Sequence, residues 1–300
     1  MDLRQLTSFI AVAEEGQLSK AAARLCLSQP PVSRHIQALE GDLGVRLFDR
    51  TAAGMELTQA GKTLLGDARN IETLIREAAA KVQRASKGEL GRLSVGVYGS
   101  AIFGVVPQIL KDFNALYPDV ETVTHYAQTP AQVQALRLGQ VQIVFERLMP
   151  AESDINVELV CKEELLVAIN ESHPLAVAGA DRVKIEELRN ETFIFGSDLT
   201  AASQVIELCK RAGFTPNVAS SSSNVVTATL LAATGAGVTL VPESMVNVHF
   251  PGVRYLRLDS PEHQSMDLYC FYLDKELEPV VSNMLEVSRA LAEKHRILGI

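Results

Sequence analysis

The stretch Ser28-Gln29-Pro30-Pro31-Val32-Ser33-Arg34-His35-Ile36-Gln37-Ala38-Leu39-Glu40 constrains this chain more than any other. Ser28 is suited to cap the amide groups left open at a helix start. Pro30 and Pro31 are tolerated in a first turn, where a missing N–H costs little. Val32, Ile36, Leu39 and Leu43 then recur at helical spacing and define an inward face. Gln29, Ser33, Arg34 and Gln37 fall off that stripe. Their amide, hydroxyl and guanidinium groups are the types that pair with purine edges and phosphates in a major groove. The stretch predicts a helix that reads duplex DNA.

Its context agrees. Leu3, Leu6, Phe9, Ile10 and Ala13 form an earlier helical stripe ending near Gly16, and Leu18 to Leu25 is alanine-rich with high helix propensity. Three short helices fit before Gly44, the arrangement of a helix-turn-helix. A polar, capped helix standing alone reads more readily as the surface helix of an enzyme, and it is the three-helix context that favours DNA binding.

The residues also resemble the LysR-type transcriptional regulators. Arg4-Gln5-Leu6, Phe9, Ala11-Val12-Ala13-Glu14, Ser19-Lys20-Ala21-Ala22 and the run from Ser28 to Glu40 look like that family's winged helix-turn-helix. So do Leu43-Gly44-Val45-Arg46-Leu47-Phe48-Asp49-Arg50-Thr51 and Leu57-Thr58-Gln59-Ala60-Gly61. The resemblance implies that Gln29, Pro30, Ser33 and Arg34 touch DNA, with Arg4 and Arg50 on its backbone. Pro31 and Gln37 complete the expected contact set. One departure concerns the wing, where many members carry an arginine before the glycine and this chain has Ala53 before Gly54.

A length of 300 residues suggests two or three domains rather than one. The formal charge of -8 argues against a nonspecific nucleic-acid coat or a basic architectural protein, since neutralising phosphates needs clustered Lys and Arg. Cys26, Cys161, Cys209 and Cys270 lack the close spacing of zinc or redox motifs and read as reduced core thiols. No metal or cofactor is expected. The amino terminus lacks the pattern of a secretory signal, and the apolar stretch Val225 to Val241 is broken by threonines and glycines. A cytoplasmic protein with no membrane association is expected.

Leu64, Ala68, Ile71, Ile75, Ala78 and Val82 alternate steps of four and three along a proline-free segment, flanked by Arg69, Glu72, Arg76, Glu77 and Lys81. This is a coiled-coil seam, or the apolar face of an amphipathic helix packed on its own domain. After a DNA-binding wing the dimer reading gains, because two recognition helices one DNA turn apart can read a palindromic site. Ser86 to Gly91 supplies a hinge.

Beyond it, strands are expected at Leu93–Val97, Val120–His125 and Val141–Phe145, with helices at Val105–Tyr117 and Ala131–Leu138. A second block has strands at Glu164–Ile169, Phe193–Phe195 and Val238–Val241, with helices at Ala202–Arg211 and Asn224–Ala233. Asp267–Tyr272 and the helix Val280–His295 return to the first block. Such strand-helix-strand units favour parallel sheets. The expected fold is therefore α/β: a winged helix-turn-helix at 1–58, a linker and dimerisation helix at 59–88, and an effector domain at 89–300. That last domain resembles the family's two-lobed, periplasmic-binding-protein-like unit, with lobe I at 92–162 and 266–300 and lobe II at 163–265.

Open α/β sheets bind ligands beyond the carboxyl ends of their strands. That rule selects Ser100, Thr129 and Arg147 in the first lobe, and Ser197 and Thr200 in the second. Arg147 suits a carboxylate, although Glu146 beside it offers the alternative of a structural ion pair. Ser100 and Thr129 stand where helix caps are expected. Tyr98 to Pro107 and Phe145-Glu146-Arg147-Leu148 look like members that sense products of aromatic degradation, such as muconate or benzoate. Those relatives often place an aromatic side chain where this chain has Thr200-Ala201-Ala202. The expected effector is a small organic anion.

An α/β enzyme with an appended DNA-binding domain is the alternative, but the six histidines are scattered and no HExxH or GxxxxGK[ST] motif occurs. His35, on the recognition helix, is expected at phosphate or in solvent. Family resemblance implies a tetramer built as a dimer of dimers. It also implies a mechanism in which effector binding reorients the lobes and, through the linker helix, changes DNA bending and contact with RNA polymerase.

Overall fold

The computed structural model describes residues 1–52, 54–196, 199–222, 224–259, 265–275 and 277–298. Helix α1 (Leu3–Glu15) starts where the Asp2 carboxylate accepts the Gln5 N–H and the Gln5 amide oxygen accepts the Asp2 N–H; it stops at Gly16. Helices α2 (Leu18–Arg24) and α3 (Gln29–Leu43) follow, and Phe9, Val12, Ala21, Val32, Ile36 and Leu39 meet in one core. Ser28 occupies the extended position ahead of α3, but its hydroxyl makes no capping bond. Leu43 is also not on the inward face. It is 40% exposed, because the last turn of α3 runs past the core.

The wing is the antiparallel pair β1 (Phe48–Thr51) and β2 (Gly54–Leu57). Glu40 of α3 accepts the N–H groups of Leu47 and Phe48 and so fixes the root of the wing. Its other end hangs from α1, where Met55 N donates to Gly16 O at 2.7 Å. Gly54 sits at φ 136°, and a Cβ there would lie 2.3 Å from that same carbonyl oxygen. Ala53, the departure from the family pattern, lies outside the described residues.

Helix α4 (Gln59–Ser86) begins against this root. Thr58 Oγ1 accepts from Gly61 N and donates to Arg46 O, and a Cβ on Gly61 would stand 2.3 Å from Leu47 O. The expected seam divides in two. Leu64, Ala68 and Ile71 pack into the helix-turn-helix core, whereas Ile75, Ala78 and Val82 are exposed. Arg69 pairs with Glu14 of α1 at 2.7 Å, so this end of α4 is bound to its own body, residues 1–84.

The carboxy-terminal body, residues 85–300, contains two lobes. In lobe I, β3 (Gly91–Val97), a helical turn over Gly99–Phe103, α5 (Val106–Leu116), β4 (Val120–Tyr126), α6 (Thr129–Arg137), β5 (Ile143–Glu146) and β6 (Ile155–Cys161) come in order. Lobe II has β7 (Leu165–Asn170), α7 (Pro174–Val177), β8 (Arg182–Lys184), β9 (Thr192–Gly196), α8 (Leu199–Arg211), β10 (Asn217–Ser222), α9 (Val225–Ala233), β11 (Thr239–Pro242) and β12 (Val253–Asp259). Strand β13 (Leu268–Leu273) and helix α10 (Pro279–Leu298) return to lobe I.

The all-parallel expectation holds only in part. Sheet order in lobe I is β4-β3-β5-β13-β6; β3 is parallel to β4 and β5, but the returning β13 is antiparallel to β5 and β6. In lobe II, β7 lies antiparallel between β11 and β12, while β12 with β8 and β9 with β10 are parallel. A chain that crosses from one lobe to the other and back must bring its last strand in from the opposite direction. The largest core of lobe I gathers around Val95, Phe113, Phe145 and Met284, and that of lobe II around Val167, Phe193 and Leu256, with smaller clusters on the other faces of the sheets.

Of the cysteines, Cys209 and Cys270 are buried thiols, Cys161 is half-buried, and Cys26 is exposed at a positive φ of 56°, so it is not a core residue. Among the described residues no helix is long and apolar enough to cross a membrane.

Replacing Gly54 by alanine should cost about 1–3 kcal/mol through a strained backbone and a lost contact to Gly16. The check is denaturant unfolding of the full chain together with hydrogen exchange at the Met55 amide, which should lose protection.

Candidate functional site

Two sites are formed, one in each body. On α3, burial of Val32, Ile36 and Leu39 turns the opposite face outward. Gln29, Pro30, Arg34 and Gln37 are exposed, and Pro31 and Ser33 are half-buried. Arg4 at the start of α1 and Arg50 in β1 are exposed as well. None of Arg4, Arg34 and Arg50 has an ion pair among the described residues, so each guanidinium is available to a phosphate or a base edge. His35 is neither at a phosphate position nor in solvent; its Nδ1 lies 2.8 Å from the hydroxyl of buried Ser8, which locks α3 to α1.

The second site is a cavity of about 330 Å³ between the lobes, beyond the carboxyl ends of β3 and β5, where the strand rule places it. Lobe I supplies Tyr98, Gly99, Ser100, Glu146 and Arg147; lobe II supplies an apolar wall including Ile194, Phe195, Ala202, Val205 and Leu240. Ser265, Met266, Asp267 and Tyr269 close it from the returning chain.

Ser100 and Arg147 meet in this cavity. Ser100 is no helix cap. It lies inside the turn after β3, and its Oγ accepts from Arg147 Nε at 2.8 Å. Arg147 Nη1 donates to Met266 O at 2.7 Å, and Nη2 donates to Glu163 Oε1 at 2.7 Å and Ser244 Oγ at 3.2 Å. Four of its N–H donors are thus spent on the protein, and its ion-pair partner is Glu163 rather than adjacent Glu146.

Thr129 is the first residue of α6 and likewise no cap. It does not line the cavity but stands behind Glu146, near enough to hold that carboxyl's pKa down slightly, although its Oγ1 has no hydrogen bond of normal geometry. Ser197 lies outside the described residues. Thr200 falls in the first turn of α8, whose Ala202 reaches the cavity.

Glu146 stands at the same strand end as Arg147, where the sequence reads it only as an ion-pair partner. It is 3% exposed, and Oε1 accepts Arg147 N at 2.9 Å, while Oε2 has no partner. Burial pushes its pKa up to about 7, against smaller lowering from hydrogen bonding and Arg147. Glu163, in a Lys-Glu-Glu run, looks in sequence like a solvated charge cluster, and no local signal marks it. Among the described residues no cluster of His, Cys, Asp and Glu suits a metal ion.

An outward recognition helix with a hairpin wing, followed by a two-lobed domain with a cavity between its lobes, defines a DNA-binding regulator with an effector domain. Residues 3–62 match the model of the bacterial regulatory helix-turn-helix protein, lysR family, and residues 86–293 that of the LysR substrate binding domain. The chain belongs to the LysR family of transcriptional regulators. It is 35% identical to the HTH-type transcriptional regulator ClcR of Pseudomonas putida over 96% of this chain and 98% of that protein. The crystal structure of CbnR, a LysR family transcriptional regulator, superposes with TM-score 0.87 at 32% identity, covering 96% of this chain and 100% of that one. Full-length CbnR complexed with its target DNA gives TM-score 0.82 at 32% identity, covering 97% and 100%. These relatives are transcriptional regulators, and nothing among them supports the enzyme alternative.

Because the folded chain holds a proton on Glu146 more tightly than the unfolded chain, stability from this group is full below about pH 4.5 and lost as pH rises through about 7. Glu146→Gln should remove up to about 3 kcal/mol of this pH dependence. Melting curves at pH 5 and pH 8 would show it, with the variant gaining on the parent only at the higher pH.

Proposed function

We propose that this chain is a cytoplasmic, homo-oligomeric regulator that binds a palindromic operator through paired copies of α3 and changes its grip on DNA when a small organic effector enters the inter-lobe cavity. The observation that carries the reading is the division of α3: Val32, Ile36 and Leu39 inward, Gln29, Ser33, Arg34 and Gln37 outward. Gln29, Arg34 and Gln37 are assigned to base edges, Ser33 to the groove, Pro30 and Pro31 to close approach, and Arg4 and Arg50 to phosphates. The domain division is 1–58, 59–88 and 89–300, with lobe I at 92–162 and 266–300 and lobe II at 163–265.

Association is assigned to the exposed stripe Ile75, Ala78 and Val82 on α4, joined by Leu74, which is 62% exposed. A pair of dimers makes the tetramer. The effector is assigned to the organic acids, an aromatic acid or muconate among them, seated with its carbon body on the apolar lobe II wall and its carboxylate at Ser100 and the remaining Arg147 donor. Ser197 and Thr200 are the corresponding lobe II positions. Closure of the lobes on it shifts the oligomer between two arrangements, and this alters DNA bending and contact with RNA polymerase.

Arg34→Ala should weaken operator binding by about 1–3 kcal/mol with oligomerisation intact, read by footprinting and sedimentation; an unchanged footprint removes Arg34 from the reading face. Aspartate at Ile75 and Val82 should break the dimer without unfolding the helix-turn-helix, since neither residue enters its core. A dimer that persists in sedimentation contradicts the seam.

A further inference from the structure

The helical turn Gly99–Phe103 stands in lobe I between β3 and α5, yet its last side chain is packed in lobe II. Phe103 lies against a cluster of Leu166, Ala168, Val241 and Met245, every one of them from lobe II. Its carbonyl oxygen accepts from Asn247 Nδ2 at 2.9 Å, and Asn247 closes the short turn Glu243–Asn247 that also carries Ser244 and Met245. Gly104 comes next, and a Cβ there would crowd Glu163 Oε1 at 3.0 Å and Ser244 Cβ at 3.3 Å. The lobes therefore meet through a seated side chain as well as through the two crossings. At its other end the same turn faces the cavity, where Gly99 and Ser100 line the wall and Ser100 Oγ accepts from Arg147 Nε. The turn is a 3-10 helix, in which side chains three residues apart eclipse, so Ser100 and Phe103 share one side of it. A ligand that displaces Ser100 must move Phe103 or bend the turn.

We propose that Phe103 is a positioning residue that sets the angle between the lobes, seated in lobe II with its carbonyl held by Asn247, and that an effector at Gly99 and Ser100 changes this angle by shifting Phe103 in its socket. This rests on the assignment of the cavity as the effector site and goes beyond it, naming the residue at which occupancy becomes lobe movement. Phe103 is half-buried and belongs to neither lobe's largest core, so it can shift without dismantling either one. Close-packed surroundings do not yield by small degrees, and an aromatic ring in such a socket favours discrete arrangements over a continuum. The effector then biases a choice between two seatings.

The test is the distance between spin labels on the two lobes of the full-length protein, read by double electron–electron resonance with labelled chains diluted into unlabelled ones. Cysteines replace Leu116 in lobe I and Val177 in lobe II, which are 65% and 71% exposed, in a Cys26→Ser background. Cys161 is half-buried and burial pushes its thiol up to about 12, which keeps it from the labelling reagent. Without ligand the parent should give one narrow distance. Phe103→Ala should broaden it or add a second distance, Asn247→Ala should broaden it less, and Phe103→Leu should restore the parent distribution. Asn247 is exposed, so its replacement decides the matter should Phe103→Ala disturb folding. A lowered melting temperature with an unchanged distribution is what a merely structural residue gives, and it overturns the proposal. Benzoate and cis,cis-muconate are then added as probes. A shift of the parent distance that is lost in Phe103→Ala and kept in Phe103→Leu supports the proposal, whereas a shift that Phe103→Ala reproduces in full overturns it and leaves the cavity assignment standing. If neither acid moves the parent distance, the cavity assignment falls for these acids and the ligand-free distributions alone decide the role of Phe103.

Discussion

The Arg147 guanidinium ties the effector domain together where the chain crosses between its lobes. The chain passes between lobes twice, after β6 and before β13, and the two crossings are joined by Met266 N donating to Glu163 O at 2.9 Å. Arg147 bonds to both, through the Met266 carbonyl and the Glu163 carboxylate, and reaches Ser244 in lobe II and Ser100 in lobe I. Its side chain is 7% exposed and that of Glu163 11%. Removing one partner of such a buried pair typically costs about 3–5 kcal/mol, because the survivor is left charged and dry. The cavity is lined by two members of this junction, Arg147 and Met266.

The net charge of the chain does not describe the face that α3 turns outward. The formal charge is -8 overall, yet the α3 face offers Arg34 with Gln29 and Gln37 and no carboxylate among them, while Glu40 is turned into the wing root. Orientation of a few groups replaces bulk positive charge.

Much of the amino-terminal body is legible in sequence because its helices are short, amphipathic and punctuated by Gly16 and Gly44, both at positive φ. Leu43 misleads because periodicity continues one turn beyond the core it describes. The linker stripe misleads differently: Leu64, Ala68 and Ile71 obey the same spacing as Ile75 and Val82, yet spacing is blind to whether the facing surface belongs to the same chain. In the effector domain, β6 alternates apolar and polar residues from Ile155 to Leu159 and could have been found by that period. Strand β10, Asn217–Ser222, is serine-rich and carries no such signal; its parallel pairing with β9 makes it a strand. The strand-end rule located Ser100 and Arg147 at the cavity, but the partnership of Arg147 with Glu163 joins residues whose proximity depends on the crossing, which no local pattern encodes.

The root of the wing gives α4 a mechanical character of its own. Thr58 ties the strand end to Arg46, Gly61 leaves no gap against Leu47, and Arg69 pins the next turns to Glu14. A joint bolted at three successive levels has no free swivel. The first turns of α4 are therefore built into the amino-terminal body as a keel is built into a hull, and only the stretch beyond Ile71 stands clear of it.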